Sequence, residues 1–177
     1  KIIKIDDGYH GVSSWMQRSN SPGTISSDTD EIISIEWNAI DELERAISEN
    51  TNQIACFISS PYHHPVLKDN VLPEDQYWQK VESLCRQNGI VLIVDDVRAG
   101  FRINLAGSNA AYGFNPDLVC LGKAMGNGYP ISALVGANHL KKSAEAVYFS
   151  GTQFFNAAPM AAAKATLLEL QRIDAVN

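Results

Sequence analysis

The sequence predicts an α/β fold, a mostly parallel sheet with helices flanking it. Three observations carry that prediction. Short apolar runs at residues 54–58, 90–94 and 118–121 are rich in β-branched residues and have strand length, as in strands covered on both faces. Helical patterns lie between them, and a strand-helix-strand-helix rhythm is that of a parallel sheet. Each run ends sharply, in Ser59-Ser60-Pro61, in Asp95-Asp96 or in Gly122-Lys123. In open α/β sheets the carboxyl ends of the strands are where ligands bind.

Taken in order, residues 1–6 alternate charge with isoleucine and read as a strand, with Tyr9-His10-Gly11 at its end. Residues 13–30 are rich in Ser, Asn, Thr, Gly and Pro and read as a long loop, a length at which loops are often functional or disordered. Residues 31–37 alternate as a strand. Asn38 is placed to cap the next helix, which has Asp41, Glu42 and Glu44 in its early turns and a Leu43/Ile47 stripe. The strand at 54–58 leads through Ser59-Ser60-Pro61 into Tyr62-His63-His64-Pro65. Residues 73–88 read as an amphipathic helix presenting Tyr77, Val81, Leu84 and Cys85, with Gly89 as its cap. After the strand at 90–94 come a short helix at 107–113, the strand at 118–121, an apolar strand at 131–135 and a helix at 138–145. Asn156-Ala157-Ala158-Pro159 opens a last helix, rich in Ala and Leu, at 160–170.

Composition narrows the function classes. The 177 residues carry a net charge of −6, which disfavours nucleic acid or an anionic membrane as partner. No apolar run approaches the roughly 20 residues of a membrane span, and the first residues lack a signal-peptide layout. Cys56, Cys85 and Cys120 form no CxxC pair and read as reduced thiols, which points to the cytoplasm. His63 and His64 are adjacent and diverge, so no metal site is expected from them. Gly122-Lys123 is not a P-loop: Asp117 fills the place of its first glycine and Ala124 that of its Ser/Thr. No G-x-S-x-G elbow, internal repeat or G-x-G-x-x-G pattern is present.

The chemistry gathers at two strand ends. A lysine after a buried strand is costly unless its charge has a use, and burial would favour the neutral amine, a nucleophile for carbonyls. Taken alone, Gly122-Lys123 reads more plainly as a lysine snorkelling into a solvated loop, and Asp95-Asp96 as a solvated loop or a metal site. Together they place an acid and an amine where both can face one crevice. That combination suits a pyridine aldehyde, with Lys123 forming a Schiff base and Asp95 keeping the ring nitrogen protonated.

Residues 90–136 resemble the pyridoxal-phosphate (PLP) site of the class III aminotransferases, nearest to the branch containing glutamate-1-semialdehyde aminomutase. The likeness lies in Asp95-Asp96-Val97, Gly100-Phe101-Arg102, Asn115-Pro116-Asp117, Leu121-Gly122-Lys123 and Gly128-Tyr129-Pro130-Ile131-Ser132-Ala133. Tyr9-His10-Gly11 and Ser150-Gly151-Thr152 flank these, in the family's order along nearly the whole chain. The resemblance implies an aspartate-aminotransferase-like, fold type I large domain. Residues 1–177 would be part of that single domain, with an N-terminal segment and a C-terminal small domain lying outside the chain.

The resemblance also implies roles. Lys123 would form the Schiff base and then act as general base, and Asp95 would hold the pyridinium. Tyr9 would stack on the ring, with His10 beside it, and Val97 would pack on the opposite face. Thr152 would reach the cofactor phosphate of a neighbouring subunit, which implies a homodimer. Plainer readings stay open beside these: a tyrosine anchoring a turn, a loop histidine, a core valine and a surface turn at Thr152. The sequence departs from the family at Ser60, where many members carry glutamate, and at Asp96, where glutamate is usual. Arg98 reads either as a contact to a substrate carboxylate or as a partner of Asp96, and His63 and His64 as candidate substrate contacts. The implied activity is transfer of an amino group between an amine or amino acid and a keto or aldehyde acceptor. Its alternatives are an aminomutase or racemase on the same core, or an incomplete, non-catalytic copy.

Overall fold

The computed structural model describes residues 1–17, 21–65 and 68–176. The chain divides into two units, Lys1–Val94 and Asp95–Asn177, an α/β architecture of strands with flanking helices.

In the first unit, β1 (Ile2–Ile5), β2 (Ile32–Ile35), β3 (Cys56–Ser59) and β4 (Val91–Asp95, whose last residue opens the second unit) pair in parallel. β1 lies between β2 and β3, and β4 pairs on the far side of β3, with Ile2 opposite Ile32 and Cys56, and Ser59 opposite Val94. Parallel neighbours need crossovers, which α1 (Ile40–Glu49) and α2 (Tyr77–Gln87) supply. α1 buries Leu43, Ala46 and Ile47, spaced i, i+3, i+4 along one stripe. α2 buries Tyr77, Trp78, Val81 and Cys85 and packs against α1. Ile3, Ile5, Phe57, Leu92 and Val94 complete this core, each contributing about 1.5–3 kcal/mol.

The α2 boundary differs from the sequence expectation, and Asn38 is the reason. It caps nothing in α1. Its Nδ2 donates to the Leu72 carbonyl (3.3 Å), and its Oδ1 accepts from the Glu74 N–H (3.1 Å). That bridge draws residues 72–74 out of helical pairing, Gln76 takes φ 60°, and the helix starts at Tyr77. The loop expected at 13–30 holds two short 3-10 turns, Ser14–Met16 and Ser26–Asp28. Its residues 18–20 lie outside the described residues.

In the second unit, α3 (Ser108–Tyr112), β5 (Leu118–Leu121), β6 (Ala133–Gly136), α4 (Lys141–Ala146) and α5 (Ala157–Arg172) follow in order. β6 begins two residues later than expected and runs antiparallel to β5, with Leu121 opposite Ala133. The connection is a glycine-rich turn rather than a crossover helix, so reversal is the direction open to it. α5 is longer at its start than the sequence suggested, because the Asn156 side chain accepts from the Ala158 N–H (3.1 Å) and caps it.

Candidate functional site

Residues 95–125 bring two strand ends together within one unit. The backbone N–H of Asp96 donates to the Cys120 carbonyl (2.9 Å), laying Asp96 beside β5. Asp95 is half-buried, and its Oδ1 accepts from the Val97 N–H (3.2 Å), a local bond that holds the carboxylate over the turn. Its charge reaches β5: the Cys120 thiol is pushed up to about 11, first by burial and then by Asp95. Val97 faces the start of the lysine turn, since a Cβ on Gly122 would sit 3.3 Å from its Cγ1.

The lysine turn is built by its glycines. Gly126 is packed against the Tyr129 carbonyl and Ile131, and a Cβ there would come within 2.4 Å and 2.6 Å of them. The Met125 N–H donates to Gly122 (2.9 Å), and buried Met125 anchors the turn. α5 packs against the same 3-10 turn, Lys123–Met125. Lys123 itself has φ 35°, a left-handed conformation uncommon outside glycine and concentrated at functional sites. The sequence left open a lysine made neutral by burial and one snorkelling into a solvated loop; in the structure Lys123 is exposed. It begins the turn after the buried Gly122, and its left-handed backbone takes the side chain off the strand and into solvent.

Asp96 carries the surprise. It is 1% exposed, and Ser108 donates to both of its carboxylate oxygens, from Oγ (2.5 Å) and from the backbone N–H (2.9 Å). Burial pushes its carboxyl above the usual range, while the Ser108 bonds pull it down. Arg98 is exposed and does not pair with it. Ser108 was not singled out in the sequence, where its only mark is a place after Gly107 at a short helix start.

Thr152 is exposed in the turn before α5. The remaining expected residues lie in the first unit. Tyr9 is 54% exposed after β1, and His10 is half-buried beside it. Among the strand-end residues of that unit, His64 shares a hydrogen bond with Ser60 (3.1 Å), and His63 stacks on Trp37 with centroids 5.9 Å apart. Burial holds the His63 imidazole below its ordinary value, against the pull of Asp7 and Glu36. Among the described residues no group of three or more His, Cys, Asp or Glu is placed to hold a metal.

A family model described as Aminotransferase class-III matches residues 1–177. An aminopentol aminotransferase from Sphingopyxis macrogoltabida is 37% identical over 166 residues, covering 94% of this chain and 39% of that protein. A glutamate-1-semialdehyde 2,1-aminomutase from Methanocaldococcus jannaschii is 35% identical, covering 96% and 43%. The chain thus spans about two fifths of the length of these relatives. Among solved structures, the FumI protein of Sphingopyxis sp. MTA144, in its PLP internal aldimine form, superposes with a TM-score of 0.91. It is 35% identical, over 96% of this chain and 41% of that one. An omega-transaminase from Sphaerobacter thermophilus shares the fold at a TM-score of 0.84 and 24% identity, over 96% and 43%.

Proposed function

Because the chain belongs to the class III aminotransferase family, we propose that it is part of a PLP enzyme moving an amino group between an amine or amino acid and a keto or aldehyde acceptor. One observation carries the reading: Val97, whose N–H donates to Asp95, lies against Gly122, the residue before Lys123 at the next strand end. The 177 residues are proposed to belong to a single PLP-binding large domain.

The residues present fit the cofactor. An acid, a primary amine and a small apolar side chain share one edge, and Gly122 leaves room that a Cβ would take from Val97. When bound, PLP supplies an electron sink for the carbon that loses its proton. Lys123 Nζ would hold the cofactor's aldehyde carbon and, as a free amine, would take the substrate proton and return it at a neighbouring carbon. The Asp95 carboxylate would hold a proton on the ring nitrogen by a charge-assisted hydrogen bond. Val97 would pack against the ring, and Tyr9 and His10 remain candidate cofactor contacts. Thr152 would bind the phosphate of the cofactor in a second subunit. Exposed aromatics flanking it, Tyr148 at 94% and Phe155 at 88%, support a homodimer that would cover them. The three free cysteines support a reducing compartment, the cytoplasm.

The aminomutase relatives favour a second reading, in which the same core returns the amine to its own carbon skeleton. Supplying an amine donor without an acceptor separates the two. An aminotransferase releases one equivalent of keto product per site. An aminomutase returns the isomeric amine, and a racemase releases no keto product. No reaction with any donor in the cofactor-loaded protein would favour a non-catalytic copy.

A further inference from the structure

We infer that Asp96 and Ser108 form a length-matched buried pair that aims Asp95 and Val97 into the cofactor site. The inference rests on the cofactor reading above and assigns Asp96 and Ser108 a positioning role rather than a catalytic one.

Asp96 is tied on every side. Ser108 occupies both carboxylate oxygens. The Asp96 N–H donates to Cys120 (2.9 Å), and its carbonyl accepts from the Gly100 N–H (2.7 Å). These bonds reach three separate segments from one residue whose side chain is out of water. A buried carboxylate left short of partners is costly, so the arrangement resists any rotation of the strand end.

The socket is also closed. A Cβ on Gly100 would lie 2.7 Å from the Asp96 carbonyl and 3.1 Å from Oδ2. Gly107 holds φ +99°, a conformation that favours glycine, immediately before the Ser108 N–H that reaches the carboxylate. An acid with one methylene and a hydroxyl opposite it fill this space together.

Asp95, the last residue of β4, and Val97, the first of the turn that the Gly100 N–H closes on the Asp96 carbonyl, flank Asp96 on either side. Rotating Asp96 in its socket would therefore turn both. Val97 already packs toward Gly122, so a turned strand end would move the ring-nitrogen acid and the ring-packing valine relative to Lys123.

The test compares wild type, Asp96→Glu, Ser108→Ala and the double variant in the intact, PLP-loaded protein. The readouts are Tm, cofactor dissociation constant, the cofactor's visible band, and kcat and KM for an amine donor. Asp96→Glu overfills the socket and should lower kcat about 30-fold and weaken cofactor binding about 10-fold, with a shifted band and a smaller change in KM. Ser108→Ala removes one donor and should lower kcat about 3- to 10-fold. In the double variant the longer acid takes the hydroxyl's space and reaches the backbone N–H, so kcat, affinity and band should return to within about 3-fold of wild type. A double variant no better than Asp96→Glu overturns the pairing. A lowered Tm with kcat and band unchanged overturns the positioning role. Should Asp96→Glu fail to fold, Ser108→Ala decides: a shifted band with lowered kcat supports the inference, and wild-type values overturn it. Failure of wild type to take up PLP on Lys123 would instead overturn the cofactor reading, and this inference with it.

Discussion

The strands of the first unit and the strand pair of the second are written in similar apolar residues, yet their surroundings differ. Ile3, Ile5, Phe57, Leu92 and Val94 are buried among the chain's own residues. In β6, Leu134 and Val135 are exposed, as are Tyr148, Phe149 and Phe155 beyond it. Apolar residues of the first kind hold this unit folded; those of the second kind are left exposed. The acid, the amine and the valine of the proposed site lie in the second unit, beside an uncovered surface. Chemistry and stability are therefore expected to separate under mutation.

The sharpest separation is expected at Lys123. Lys123→Ala should lower turnover by about 10⁴-fold or more, about 5.5 kcal/mol of transition-state stabilisation, and leave the Tm of the cofactor-free protein unchanged because the side chain is exposed. Asp95→Asn keeps the shape and removes the charge. Single-turnover measurements should show a loss on the order of 10³-fold, about 4 kcal/mol. On the stability side, Phe57→Ala empties a fully buried position in β3 and should cost about 3 kcal/mol in urea unfolding, with kcat of the folded fraction retained. Tyr148→Glu combined with Phe155→Glu should raise a dimer dissociation constant about 100-fold, roughly 2.7 kcal/mol by sedimentation, while β1–β4 stay intact. The smallest effect is Asn156→Ala, which removes the cap of α5 and should lower stability by about 1 kcal/mol. If the core variant abolished chemistry in folded protein, or the lysine variant unfolded it, the division between the units would fail.

Much of this was legible in the sequence because it depends on local periodicity. Residues 118–121 read as a strand and are one, and the alternation of residues 1–6 and 31–37 marks β1 and β2. The start of α2 was not legible, because the bridge from Asn38 to Leu72 and Glu74 is set by tertiary folding across more than thirty residues. The direction of β6 depends on the length and close packing of the turn at Gly126 rather than on its apolar composition. Asp95 and Lys123 stood out as strand ends, but the partner of Asp96 did not. Ser108 lies twelve residues on, and its pairing is visible only once Gly100 and Gly107 have turned the chain back. The exposure of Lys123 comes from its left-handed backbone, which no apolar pattern encodes.

The account turns on which lysine holds the cofactor, and one measurement asks that directly. The intact protein loaded with PLP is reduced with borohydride, digested and mapped by mass spectrometry. The account predicts a single pyridoxyl group, on Lys123. A pyridoxyl group on Lys4, Lys68 or Lys141 with Lys123 unlabelled would contradict it.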